Sequence, residues 1–266
     1  MIGLKLIKSV MPEIRIVLVE PSHPGNIGGA ARAMKTMGLS TLAIVNPKRF
    51  PDPQADWRAA GALDIVEQAQ VCDSISAAVK DSVLVAGTSA RARHIPWPMM
   101  TSTQFAEFVH TKFKSDDCIS VLFGREDNGL TNDELNLCNT HVRIPSNDQY
   151  GSLNLAMSVQ IIAYDLFCQT LFETQEDPDE ETWDKPLATF AEVNDFLEHL
   201  QSVLLRVGFS DPDEPRNAEI RLRRLFGRIH MDHTEVQILR GVLTHIEKEL
   251  RSESPVSDQV QQSDSG

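Results

Sequence analysis

Apolar residues first occur in short runs. Ile14–Val19 (IRIVLV), Thr41–Val45, Ser82–Gly87, Cys118–Phe123 and His141–Ile144 each read as a strand, with few polar positions among them. Between these runs the period changes. Gly25–Met37, Ser74–Lys80, Ser102–Phe113, Asn132–Cys138 and Ser152–Leu171 read as helices. Gly38 stops the first, and Thr131 or Asn132 caps the fourth. Short apolar strands alternating with helices predict an α/β fold, an open parallel sheet covered on both faces.

Beyond residue 185 the pattern is helical only. Phe190, Val193, Leu197, Leu200, Leu204 and Val207 form one stripe. Leu222, Leu225, Phe226 and Ile229 form a second, and Val236, Leu239, Leu243, Ile246 and Leu250 a third. One apolar stripe on each of three helices predicts a small all-α domain. The expected organisation is an α/β domain over 1–172, an acidic linker over 173–185, a helical domain over 186–251 and a disordered tail over 252–266.

Charge changes the picture only once it is located. The net charge of −13 argues at first against a nucleic-acid partner. Residues 173–184 (ETQEDPDEETWD) carry seven acids and no base, and the tail carries three more acids. Residues 1–172 hold 15 bases against 17 acids, so the folded part is near neutral and leaves room for local basic patches. With 41% hydrophobic and 24% charged residues, the composition excludes collagen-like and wholly disordered chains. The most apolar stretch is interrupted by Asn154, Gln160 and Asp165, too often for a membrane span. The start, MIGLKLIKSV, lacks a secretory h-region, and Met11 is an alternative start just before the first strand. Cys72, Cys118, Cys138 and Cys168 are spaced for neither a disulfide framework nor a zinc site. A cytoplasmic protein without metal or membrane partner is expected.

Chemistry concentrates in three loops that follow strands. The first strand runs into PSHPGNIGGAAR, which opens a helix with Asn26-x-Gly28-x-x-x-Arg32. Its G-x-x-G-G spacing fits no dinucleotide fingerprint, and no phosphate-binding G-x-x-x-x-G-K-[ST] occurs. FGREDNGL, residues 123–130, follows Cys118–Phe123, and Ile144-Pro145 then Ser152-Leu153-Asn154 follow the last strand. Loops at the carboxyl ends of parallel strands are where open α/β sheets bind ligands.

These motifs, in this order, resemble the SPOUT methyltransferases, and specifically the TrmH-like branch of RNA 2′-O-ribose methyltransferases, over about residues 14–170. The runs RIVLVEPSHPGNIGGAARAMKTMGL, GTSARARHIPWP and FGREDNGLTNDEL are similar to those of the bacterial tRNA (cytidine/uridine-32)-2′-O-methyltransferases. So are RLRRLFGR and ILRGVL beyond the acidic stretch. The resemblance implies a C-terminal trefoil knot, a homodimer, and S-adenosyl-methionine held by three loops. Carried over, these are Thr88-Ser89-Ala90, Gly124 and its neighbours, and Ile144 with Gly151, Ser152 and Leu153. The implied activity is methylation of the ribose 2′-hydroxyl of nucleotide 32 in the tRNA anticodon loop. Three rivals stand beside it: methylation of a ribosomal RNA nucleotide, a knotted RNA-binding protein without catalysis and, more remotely, a nucleotide-binding dehydrogenase.

Arg32 would ordinarily be a solvent-facing arginine. Its motif position instead implies a catalytic part. A guanidinium has a pKa above about 12 and no acceptor, which suits gripping a phosphate and stabilising an alkoxide better than general-base work. Asn26 is as readily a cap or turn residue as a substrate contact. Gly28 and Gly29 serve close packing or let an RNA backbone approach. Glu126 is expected in a supporting or catalytic role, with bonds to backbone amides or Arg125 as the structural alternative. Ser152 and Asn154 either cap the long helix or orient the 2′-hydroxyl. His23 reads as a loop residue or an RNA contact, and Tyr150 as a base-stacking or packing residue. Arg221, Arg224 and Arg228 form a stripe beside the second apolar face, with no acid between residues 220 and 231, and point to phosphate contact.

Overall fold

The computed structural model describes residues 11–89, 99–147, 149, 151–171, 186–209 and 218–252. Ala90, Tyr150, the acidic stretch and most of the tail lie outside these residues. Seven strands, β1 (Glu13–Val19), β2 (Thr41–Val45), β3 (Gln70–Cys72), β4 (Leu84–Thr88), β5 (Met99–Thr101), β6 (Cys118–Phe123) and β7 (Thr140–Arg143), form one sheet in the order β3-β2-β1-β6-β4-β7-β5. Every neighbouring pair is parallel. The order is not sequential: β6 sits between β1 and β4, in register Ile16 with Val121 and Ala86 with Val121.

The helices are α1 (Pro24–Thr36), α2 (Pro53–Ala59), α3 (Leu63–Glu67), α4 (Ile75–Val79), α5 (Ser102–Lys112), α6 (Asn132–Asn136), α7 (Leu155–Leu171), α8 (Phe190–Arg206), α9 (Ala218–Gly227) and α10 (His233–Ser252). Alternate strand residues face two separate cores. Ile14, Ile16, Leu18, Ile119 and Val121 pack against α1, α5 and α7, while Val17, Val19, Val85 and Leu122 pack against α4 and α6. Burial on both faces is why these strands are almost uniformly apolar.

The expected elements form, with informative exceptions. β3 and β5 are three-residue edge strands with mostly exposed or half-exposed residues, too short for an apolar signature. α2 begins after Asp52, whose side chain accepts from the Gln54 amide, and its alanine-rich sequence shows little amphipathic contrast. α7 begins at Leu155 rather than Ser152, because the Asn154 side chain accepts from the Ala156 amide at 2.9 Å and caps it. In the second C-terminal stripe the grouping of four does not hold: Leu225 and Ile229 are exposed, and Phe226 turns inward to meet Phe196 edge to face at 4.8 Å.

The last three helices share a core of Phe196, Leu197, Val203, Met231, Val236 and Leu243. They also seat on the α/β body. The Phe190 amide donates to the Ser82 carbonyl at 2.7 Å, and Asn139 Nδ2 donates to the Gly227 carbonyl at 3.1 Å. The half-buried His230 ring packs against Phe108 and Phe113, with centroids at 5.6 and 6.0 Å. Burial lowers its pKa, helped by Lys112, so it sits there as a neutral apolar plug.

α1 and α2 meet at Gly28. A Cβ there would lie 2.0 Å from the Ala55 carbonyl oxygen and 2.8 Å from the Ala59 nitrogen, both backbone atoms. Gly28→Ala should therefore force the helices apart and destabilise the protein by about 1–3 kcal/mol, the usual cost of overpacking. Urea unfolding of wild type and variant measures this, and Gly38→Ala is no substitute control because its positive φ adds strain of its own.

Candidate active site

The carboxyl ends of β1, β4, β6 and β7 all point to one edge of the sheet, because the strands are parallel. The segments leaving β4, β6 and β7 enclose a cavity of about 530 Å³. Thr88 and Ser89 line it from β4, residues 124–130 from β6, and Ile144, Gly151, Ser152 and Leu153 from the segment after β7. Seven of the eight sequence-predicted cofactor residues thus share one cavity, and Ala90 lies outside the described residues. Leu130, Val142, Ile144, Leu153 and Leu155 give it apolar walls, and small polar residues complete it. That lining fits a flat heterocycle carrying a short polar chain.

Glu126 joins the segment after β6 to the one after β1. Its carboxylate accepts from the Ser22 amide at 3.0 Å, Ser22 Oγ at 2.9 Å, the His23 amide at 3.2 Å and Asn26 Nδ2 at 2.8 Å. Asn26 Oδ1 in turn accepts from Asn154 Nδ2 at 3.0 Å. One chain, Glu126–Asn26–Asn154, therefore ties together all three motif segments. Burial pushes the Glu126 carboxyl up, but the bonds from Asn26 and Ser22 outweigh it and hold the pKa at about 2. Glu126 is an anchored carboxylate, not a proton donor.

Of the two structural alternatives for Glu126, bonding to backbone amides forms, through Ser22 and His23, and bonding to Arg125 does not. Arg125 turns the other way, to Glu20 at 2.8 Å and Glu134 at 2.9 Å, and these carboxylates raise its pKa. It also donates to the Gly129 carbonyl, fixing the 124–130 turn. Ser22, Glu20 and Glu134 are thus site-building residues that motif reading missed. Ser22 lay inside the PSHPGN run, but nothing in a single sequence marks a serine as the partner of a glutamate 104 residues away.

His23 caps α1: its Nδ1 accepts from the Gly25 amide at 3.1 Å. Asn26 is consequently inside the helix and not its cap. Ser152 is exposed and precedes the long helix, and Asn154 is both cap and network member. Arg32 is exposed on α1 and lies outside the cavity lining; among the described residues its side chain makes no hydrogen bond or ion pair. Gly29 faces α7, where a Cβ would stand 3.0 Å from the Ala156 Cβ. Arg221 and Arg228 are exposed, Arg224 is half-buried, and none of the three lines the cavity. Among the described residues no cluster of His, Cys, Asp and Glu could hold a metal ion, and no helix is long and apolar enough to cross a membrane.

An open parallel sheet with a cavity built from loops at one edge defines a ligand-binding α/β domain. The chain belongs to the SpoU rRNA methylase family, whose model matches residues 13–164. A second model, the C-terminal domain of the tRNA methyltransferase TrmJ, matches residues 191–255. The tRNA (cytidine/uridine/adenosine-2′-O-)-methyltransferase TrmJ of Pseudomonas aeruginosa is 43% identical, over 91% of this chain and 96% of that protein. The tRNA (cytidine/uridine-2′-O-)-methyltransferase TrmJ of Sodalis glossinidius is 45% identical, over 94% and 97%. The crystal structure of TrmJ from Z. mobilis superposes with a TM-score of 0.76 at 32% identity, over 89% of this chain and 99% of that one.

Two outcomes follow from the geometry. A Cβ on Gly124 would lie 2.1 Å from the Gly129 carbonyl carbon and 2.2 Å from the Leu130 nitrogen, so the glycine is required by the turn itself. Gly124→Ala should disrupt the turn, lowering the thermal midpoint as well as ligand affinity; an unaltered midpoint would show that the turn accommodates the methyl. Glu126 has its pKa depressed from 4.5 to about 2, so its contribution to stability is complete above pH 4.5 and disappears as pH falls toward 2. Glu126→Gln should be less stable at pH 7 and should lose stability less steeply over that window, as read by denaturant titrations at successive pH values.

Proposed function

We propose that the protein methylates the ribose 2′-hydroxyl of nucleotide 32, cytidine or uridine, in the tRNA anticodon loop, with S-adenosyl-methionine as donor. The observation that carries this reading is the Glu126–Asn26–Asn154 chain at the mouth of a cavity built from the same three segments. The similarity to TrmJ proteins along most of the chain supports tRNA as substrate.

S-adenosyl-methionine supplies, when bound, an electrophilic methyl group. Thr88, Ser89, Ala90, Gly124, Ile144, Gly151, Ser152 and Leu153 would hold it. Asn26, Ser152 and Asn154 orient the 2′-hydroxyl, and Glu126 keeps Asn26 in place. Arg32, with no partner competing for its guanidinium, grips the adjoining phosphate and stabilises charge developing on the 2′-oxygen. His23 contacts the RNA backbone beside it.

The assembly is a cytoplasmic homodimer of knotted α/β domains. The strand order β6-β4-β7 is compatible with the trefoil knot. Met157, Ile161, Tyr164, Cys168 and Leu171 make an exposed to half-exposed seam at alternating four- and three-residue steps on α7, and such a seam suits a second copy. Residues 186–251 form an all-α domain, attached through the acidic linker, whose Arg221, Arg224 and Arg228 contact tRNA phosphates.

Arg32→Ala should lower methyl transfer by about 100- to 1000-fold while leaving calorimetric affinity for S-adenosyl-methionine unchanged. Methylated-nucleotide mapping in RNA from a strain lacking the gene tests the target. Loss at tRNA nucleotide 32 is expected; loss at a ribosomal nucleotide would overturn the tRNA reading.

A further inference from the structure

Trp57 is 79% exposed, more than any other large apolar side chain among the described residues. It lies on α2, which packs onto α1 through the buried Ala55 and Ala59. Trp57 is two residues from each, so its indole leaves the side of the helix opposite the packing face. Nothing about the fold uses it. Exposed tryptophan is characteristic of surfaces that acquire their partner on binding.

Its neighbour Arg58 is aimed. Arg58 Cβ stands 2.9 Å from where a Cβ on Gly28 would be, and Arg58 Cγ stands 3.5 Å from where one on Gly25 would be. The root of the side chain therefore lies against α1 beside Gly28 and Gly25, near the end that carries His23 and Asn26. Among the described residues it makes no side-chain hydrogen bond or ion pair. Neither does Arg32, one helical turn beyond Gly28 in the other direction. Two other cations of this region are paired: Arg49 with Asp52 at 2.8 Å and Lys35 with Asp64 at 2.6 Å. Asp56 is the exposed acid of this helix, and it leaves both arginines without a carboxylate. Two uncompensated guanidinium groups thus flank Gly28, with an exposed indole next to one of them.

We infer that Trp57 and Arg58 form a nucleotide subsite for the substrate strand beside the reacting ribose: an unpaired base stacks on the Trp57 indole, and Arg58 pairs with a phosphate. The inference rests on RNA being the substrate. An indole accepts any base, and a planar guanidinium matches phosphate, so the subsite grips loop nucleotides without reading their sequence. An anticodon loop presents such unpaired nucleotides, and a continuous duplex does not.

The test uses the full chain carrying Trp97→Phe and Trp183→Phe, which leaves Trp57 the only one of the three tryptophans. Titration with tRNA should quench its fluorescence. In the otherwise native protein, Trp57→Ala should weaken tRNA binding about tenfold, the scale of one lost stack, and Trp57→Phe should retain most of the affinity. Arg58→Ala should flatten the dependence of log affinity on log salt by about 0.7–0.9. Thermal midpoint and S-adenosyl-methionine affinity should not move. A silent Trp57 with unchanged tRNA affinity in Trp57→Ala overturns the subsite. So does a fall in solution mass in Trp57→Ala, which would assign the indole to contact between copies. Methyl transfer to tRNA by wild type, measured in parallel, separates the two readings. Transfer with a silent Trp57 sinks the subsite alone, and quenching without transfer sinks the methylation reading alone.

Discussion

A carboxylate held ionised by donors from another loop is the contact on which the site depends. Glu126 follows β6, and its carboxylate accepts from Ser22, His23 and Asn26, which follow β1. The two strands are neighbours and parallel, so both loops leave the same edge of the sheet. An ionised group in this partly buried place is costly unless it is saturated with hydrogen bonds. Saturation fixes the entrance to α1 against the 124–130 turn, and Asn26 passes that order on to Asn154. Remove the charge and two loops and a helix cap lose their common reference.

Adjacent residues meet opposite fates around this contact. Arg125, next in sequence to Glu126, is consumed by Glu20 and Glu134 and stiffens its own turn. Arg32 has no such partner among the described residues and is exposed. The same contrast distinguishes Arg49 and Lys35, both paired, from Arg58. Glycines matter in the same way: Gly28 and Gly124 are required by neighbouring protein backbone.

The C-terminal helices show how short contacts join two helical and α/β cores that the sequence separates by an acidic stretch. Asn139 is the hinge of this join. Its side-chain oxygen accepts from the Val85 amide at 2.7 Å and so extends the β4 ladder, while its side-chain nitrogen donates to Gly227 at the end of α9. His230, half-buried against two phenylalanines, adds apolar area to the same boundary.

The sequence by itself determined the interior strands, the long helices and the three motif segments. Strands buried on both faces must be apolar throughout, and α5 and α7 to α10 are long enough to display their period. It did not reveal β3, β5, α2 or α3, where edge exposure, brevity or alanine leaves no pattern to read. Which residues of the motifs touch was decided only by the tertiary structure. Nothing local distinguishes Glu126 bonding to Ser22 from Glu126 bonding to Arg125, or Asn26 as a cap from Asn26 as a bridge. The insertion of β6 between β1 and β4 settles these pairings, because strand order sets which loops are neighbours, and strand order is a property of the whole chain.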